Sequence, residues 1–279
     1  LNGDPSWFMH QVNGLQNQEV MAFIASSLSY GSRKQFMSKI KYIQDVSQNQ
    51  PFDWLVSGDY AHDISDDSLC YYRLFSNHKI YSFLKVLKGL YEEYGSMADF
   101  TRQKVKGHRS SESGLIALKG ISDYFFCQGI TGIVPRYGST CKRLCMFLRW
   151  MSRDHSSVDL GLWSDWIDKR SLFIPLDTHV LKVSQTVGLV HQNTASWSAA
   201  VLLTKALREV FPDDPVKGDF ALFGYGIHYA GEIKTILCWI SREADGDHNR
   251  GTNWRRSDFQ SSCLLKCLYQ IPIRYYEGL

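Results

Sequence analysis

A lysine and an aspartate in one stretch of this chain are of types that do covalent or electrostatic chemistry. The segment from Pro135 to Val183 reads PRYGSTCKRLCMFLRWM, then a polar connection, then IPLDTHVLKV. Lys142 falls in the first turn of a helix that follows a glycine-containing turn. Asp177 begins a later helix after a short apolar, extended lead-in, 35 positions on (177 − 142). A lysine amine attacks an electrophilic carbon when neutral and holds a phosphate when charged. An aspartate at a helix start caps backbone N–H groups, and a carboxylate also stabilises a developing cation. Taken singly, each has a plainer role: a surface or phosphate-binding lysine, and an N-cap.

Helices must position both residues. Apolar residues recur at helical spacing over Glu19–Tyr30, and Gly31 breaks the pattern. Ser32 caps a second helix to about Val46, and residues 47–60, with Pro51 and Gly58, read as a loop. Helices are expected over His78–Tyr94 and Glu112–Phe126, with 104–114 irregular between them. Gly129–Gly138 is a turn region, and Ser139 caps a helix from Thr140 to about Arg153. A short helix is expected over Asp159–Ile167. Pro175 holds Ser171–Leu176 extended, and Asp177 N-caps Thr178–Val187. Ser196 caps a helix reaching Phe211, and Asp214–Pro215 opens another to about Tyr229. Strand alternation is hard to find, so the fold class expected is all-α.

Composition narrows the class. At 279 residues the chain can bury a full core, and 44% hydrophobic with 21% charged residues is ordinary for a globular protein. The net charge of +3 decides little, but charge is segregated. From Phe125 to Arg153 there is no acidic residue, while Arg136, Lys142, Arg143, Arg149 and Arg153 are all basic. Such a face suits a polyanion; a set of solvated helix faces is the blander account. Cys141/Cys145 and Cys263/Cys267 are each four apart, without a second close pair or a ligand-spaced His, so no metal site is expected. The seven cysteines read as reduced thiols. No run approaches a membrane span and no signal peptide is visible, so a cytoplasmic location is expected.

With these motifs in place, the chain resembles the helix-hairpin-helix DNA glycosylases, which include endonuclease III and the adenine and 8-oxoguanine glycosylases. Leu176-Asp177-Thr178-His179-Val180 is similar to that family's Val-Asp-Thr-His-Val segment. Pro135-Arg136-Tyr137-Gly138 matches its Pro-Gly-Val-Gly hairpin in part, and Lys142 falls at the family's nucleophile position. Ala22–Tyr30 looks like its early helix and the DNA-probing turn after it, and Phe220–Gly224 like its late helix. The likeness covers roughly residues 18–230 in order. The long Lys–Asp connection is similar to that of the archaeal GO-type glycosylases. The four-cysteine iron–sulfur loop of endonuclease III has no counterpart here. The chain also resembles an uncharacterised bacterial family known only as a domain of unknown function.

The resemblance implies a single unit in two helical lobes, about 18–110 with 185–240 and about 111–184, binding damaged double-stranded DNA between them as a monomer without cofactor or metal. Residues 243–279 are poorly defined by it. Lys142 would attack C1′ and form a Schiff base, and Asp177 would stabilise the sugar cation, giving a glycosylase with β-lyase activity. An oxidised purine is the base expected. Trp150, Trp163, Trp166 and Tyr30 are candidates for stacking on bases, with core burial the commoner fate of each. Lys34, Arg136, Gly138, Arg143 and Arg149 are candidate DNA contacts. Two other readings stand beside this one: a non-catalytic nucleic-acid-binding protein of the same fold, and a helical interaction or scaffold protein.

Overall fold

The computed structural model describes residues 3–219 and 222. Among these, regular structure is ten α-helices, three short 3-10 turns and one small antiparallel hairpin, so the fold is all-α. The described residues fall into two compact units, one ending at Leu172 and one beginning at Phe173. This division does not coincide with the lobe boundaries the resemblance implies.

In the first unit, α1 (Leu15–Leu28) is the axis. Every residue from Glu19 to Leu28 is buried. A helix apolar nearly all round must be enclosed by other elements. It packs against the Pro5–His10 turn, α2 (Arg33–Val46), α3 (Pro51–Ser57) and α8 (Lys142–Ser152). Next come α4 (Tyr60–Asp63), the hairpin strands β1 (Cys70–Tyr72) and β2 (Phe75–Ser76), α5 (Asn77–Tyr94), α6 (Met97–Val105) and α7 (Ser113–Cys127). Phe23 of α1, Phe83 of α5, Phe125 of α7 and Phe147 of α8 form one buried cluster. Phe23 lies 5.8, 5.2 and 5.0 Å from the other three ring centroids in that order. Each such pair adds about 1 kcal/mol beyond its buried area.

Nearer the start of α1, a buried carboxylate ties it to α5, the start of α6 and the turn carrying Trp163. Glu19 accepts hydrogen bonds from Tyr91 Oη at 2.6 Å, the Met97 and Ala98 amides at 3.0 and 3.1 Å, and Trp163 Nε1 at 3.1 Å. Ser96 Oγ takes the Asp99 amide at 2.9 Å. The first three amides of α6 are thereby all satisfied, two of them from a different helix.

Several elements depart from the sequence expectation. Residues 47–60 are not a loop: Pro51 opens α3, because its fixed φ and missing N–H suit a first helical position. Asp159–Ile167 is not helical but a series of turns held to the end of α8, with Leu160 and Trp163 amides on the Trp150 and Met151 carbonyls. The hairpin was not expected, since strands of three and two residues leave no alternation to see.

The second unit has an aliphatic core. Ile174, Leu176, Val180, Leu181 and Val183 meet Ala199, Ala200, Leu203 and Leu207 of α9 (Thr178–Thr186), α10 (Trp197–Val210) and the extended segment before them. The Ile174 amide donates to Thr204 Oγ1 at 3.1 Å, which fastens the lead-in of α9 to α10. The helix expected from Pro215 to Tyr229 lies mostly outside the described residues. So do Phe220–Gly224 apart from Leu222, Cys238, Cys263, Cys267 and residues 243–279.

Replacing the Glu19 carboxylate tests its role. Glu19→Gln sets an amide N–H2 against N–H donors and is expected to cost about 3 kcal/mol at neutral pH, read as a shifted denaturation midpoint at constant slope. Burial raises the Glu19 pKa from 4.5, against its hydrogen bonds, so the folded state holds that proton more tightly. Its linked stabilisation is full below the unfolded value and is lost as pH rises through the folded one. The stability gap between wild type and variant is therefore expected to narrow as pH rises from about 4.

Candidate nucleic-acid interface

Lys142 is the first residue of α8, and the backbone sets it there in an unusual way. Cys141, at the N-cap, has φ 50°, a left-handed conformation uncommon outside glycine. Its thiol is buried against the Arg136 carbonyl at 3.4 Å, and its amide donates to Ser139 Oγ at 3.3 Å. Helix therefore begins at Lys142, not at Thr140. Burial pushes the Cys141 thiol up, against hydrogen bonds from Ser139 and the Gly138 amide and the charge of Arg143. The first turn of α8 has no acidic residue, and Lys142 and Arg143 open it. The positive end of the helix dipole and two basic side chains make this end attractive to anions.

The turn before α8 spends its amides internally. Tyr137 N–H donates to Ser122 Oγ at 2.6 Å, and Ser139 N–H to the Arg136 carbonyl at 3.2 Å. Arg136 itself is exposed, with its guanidinium 3.9 Å from the Phe126 ring centroid. Lys119 lies 4.5 Å over Tyr137. Gly138, at φ 100°, is the exposed bend of the turn. Charge at this turn is thus presented by side chains on aromatic faces.

Arg143 is bound inward. Nη1 donates to the Ser27 and Ile133 carbonyls, both at 2.7 Å, and Nη2 to the Gly132 carbonyl at 2.6 Å. Burial lowers its pKa to about 10. The phosphate contact expected of Arg143 gives way to a bridge between the end of α1 and the turn at 132–133. Beside it, Tyr30 is 39% exposed, with Arg143 and Arg73 at 5.6 and 5.3 Å from its ring centroid. Tyr72 Oη donates to the Tyr30 carbonyl. Arg73 and Leu74 form the hairpin tip, and Leu74 is 70% exposed. Sequence reasoning missed both, since only the hairpin turn brings them to Tyr30. Lys34 is exposed on α2.

Other candidates are placed elsewhere. Trp150 and Trp163 are each 1% exposed, so neither indole offers a face to a base. Arg149 is buried too, pairing with Asp159 at 3.2 Å, and Arg153 reaches the same carboxylate at 2.8 Å. That removes Arg149 as a phosphate contact, because its charge is engaged inside the fold. Trp166 is half-buried, donates to Thr101 Oγ1 at 3.2 Å, and has Arg102 4.1 Å over its ring. It lines a cavity of about 550 Å³ with Leu15, Asp99 and Asp165. This cavity is at the start of α1 and Tyr30 follows its end, about 20 Å along the helix axis. Trp166 is therefore not part of the Tyr30 surface.

Asp177 N-caps α9 as its sequence signals. Its Oδ1 accepts the His179 and Val180 amides at 2.9 and 2.8 Å, and its backbone is extended. The lead-in fastened to Thr204 fixes where this carboxylate sits in the second unit. Lys142 belongs to the first unit. Among the described residues no group of three His, Cys, Asp or Glu side chains is placed to hold a metal, and no helix is long and apolar enough to cross a membrane.

Gly31 is the position on which the Tyr30 surface turns. It has φ 84°, and a Cβ there would lie 2.0 Å from Arg73 Nη1 and 2.9 Å from Arg73 Cδ. Gly31→Ala is expected to cost about 1–2 kcal/mol from the left-handed backbone and to drive Arg73 off Tyr30. In a double-mutant cycle with Arg73→Ala the two changes should cost less than their sum, read by denaturant titration; strict additivity would mean that the close approach is unimportant.

No curated protein and no solved structure matches the chain. Residues 4–228 match the model of a family described as a protein of unknown function, DUF2400. That match spans most of the sequence, and the chain belongs to the DUF2400 family.

Proposed function

We propose that this chain is a DNA-repair glycosylase with β-lyase activity, acting on a damaged base in double-stranded DNA. The observation that carries the reading is the presence of two such helix starts in one chain. Lys142 is the first residue of a helix whose opening turn holds no acid, and Asp177 is the N-cap of a later helix. The resemblance of the surrounding motifs to the helix-hairpin-helix glycosylases supports the same assignment. In this reading the Lys142 amine attacks C1′ of an extruded nucleotide, and the glycosidic bond breaks with its electrons leaving on the base. Asp177 stabilises the positive charge that develops on the sugar. Opening of the sugar ring gives the imine, from which the 3′ phosphate is lost by β-elimination. Tyr30, with Arg73 and Leu74 beside it, forms the surface that meets the duplex, and Lys34 and Arg136 contact phosphates. An oxidised purine is the base this reading favours.

Borohydride reduction of the imine is the direct test. Labelled duplexes carrying 8-oxoguanine, uracil or an abasic site are expected to give a trapped covalent complex with the wild-type protein and none with Lys142→Gln. No trapping on any duplex would sink the lyase assignment. Asp177→Asn separates chemistry from folding, because asparagine is an equally good N-cap. That variant should keep its thermal stability and lose about a hundredfold or more in excision rate.

A second reading, a non-catalytic nucleic-acid-binding protein, is favoured by the turn at 135–139, whose amides are engaged within the fold. It predicts duplex binding that weakens with salt and no covalent product.

A further inference from the structure

We infer that Arg143 is a positioning residue: it locks the Tyr30 turn and the 129–138 turn to the start of α8, so that the surface probing the duplex and the nucleophile's helix act as one piece. This inference rests on the function proposed above. The accounting of carbonyls at the end of α1 supports it. A helix leaves its last carbonyls without helical partners. Here Ser26 O accepts the Ser29 amide at 3.1 Å and Leu28 O accepts the Tyr30 amide at 2.7 Å. Ser27 O accepts Arg143 Nη1 at 2.7 Å. A cation is also what the negative end of the α1 dipole favours.

The other two acceptors lie in a different segment. Gly132 O and Ile133 O belong to the loop joining α7 to α8, and they face the same guanidinium at 2.6 and 2.7 Å. One planar group thus joins residues 27, 132, 133 and 143. A lysine ammonium is a point donor on a flexible stem and does not reproduce this fork. Phe75 of the hairpin stands 6.2 Å from Tyr30, ring centroid to centroid, and approaches Gly132, so the hairpin rests on both bridged segments. The consequence is specific. Loss of Arg143 should loosen the surface that distinguishes a damaged site while leaving the phosphate contacts intact.

Full-length wild type, Arg143→Lys and Arg143→Ala distinguish this strut from a phosphate contact. Amide exchange over residues 27–33 and 129–138 is expected to speed by about tenfold or more in both variants, with α9 and α10 unchanged. Wild-type protection in Arg143→Lys would overturn the strut. Binding to abasic and intact duplexes across a salt series is the second readout. Preference for the abasic duplex should fall by about tenfold in both variants, at an unchanged salt slope. A slope lower by about one in Arg143→Ala and restored in Arg143→Lys marks a phosphate contact and overturns the proposal. Arg143→Lys carries the comparison alone if Arg143→Ala does not fold. If the wild-type protein binds no duplex, the proposed function falls, and the exchange measurement by itself decides whether Arg143 is the strut.

Discussion

The first unit depends on a carboxylate that has been taken out of water. Glu19 is 4% exposed and opens the buried stretch of α1 that runs to Leu28. Burying an ionised carboxylate without partners would cost far more than the net stability of a domain. Four donors meet it, from α5, the start of α6 and the turn carrying Trp163. None of those elements is next to α1 in sequence. The penalty for leaving Glu19 unsatisfied is therefore what holds them in register, in addition to the area they bury. The phenylalanine cluster supplies bulk attraction, which is not directional; the carboxylate supplies direction.

Arg143 does for the far end of α1 what Glu19 does for the near end, by donating hydrogen bonds where Glu19 accepts them. Glu19 accepts backbone amides at a helix start, and Arg143 donates to backbone carbonyls at a helix end. The Arg143 charge complements the dipole of the helix it caps. From Glu19 to Leu28, helix α1 is enclosed by other elements and has no exposed polar face to orient it. Its own Glu19 fastens it near its start and Arg143 of α8 holds its end, and this places Tyr30, two residues past that end.

This division explains what was legible in the sequence. Local signals were read correctly where the cause is local. Ser196 and Asp177 cap helices with their side chains as their types predict, Ser32 precedes one without a side-chain cap bond, Gly95 ends one, and Pro175 keeps its lead-in extended. Pro51 was read as loop punctuation when it opens a helix, since proline serves both. The long-range partners of Glu19 and Arg143 leave no trace in spacing: they are 72 to 144 and 10 to 116 residues away in the chain. Basic residues near Lys142 looked alike as phosphate contacts. Burial separates them, taking Arg149 into a pair with Asp159 and Arg143 into its carbonyl cage while Arg136 stays on the surface. The tryptophans divide the same way, and their size alone favours the core.

Local rules are otherwise kept through most of the chain, and they are broken together in a short run. Arg136 is an exposed cation in the turn itself. Cys141 holds a left-handed backbone without being glycine, at a cost of about 1–2 kcal/mol. Lys142 and Arg143 place two basic side chains at the positive end of a helix whose first turn holds no acidic residue. The surroundings compensate for each: the Cys141 thiol is buried on a carbonyl, Arg143 is held by three more, and Arg136 stacks on Phe126. A fold selected for stability alone would place an acid or a serine at this helix start. One left-handed non-glycine residue and two basic side chains thus fall within eight residues, stabilised from several directions, and Lys142 lies inside that run.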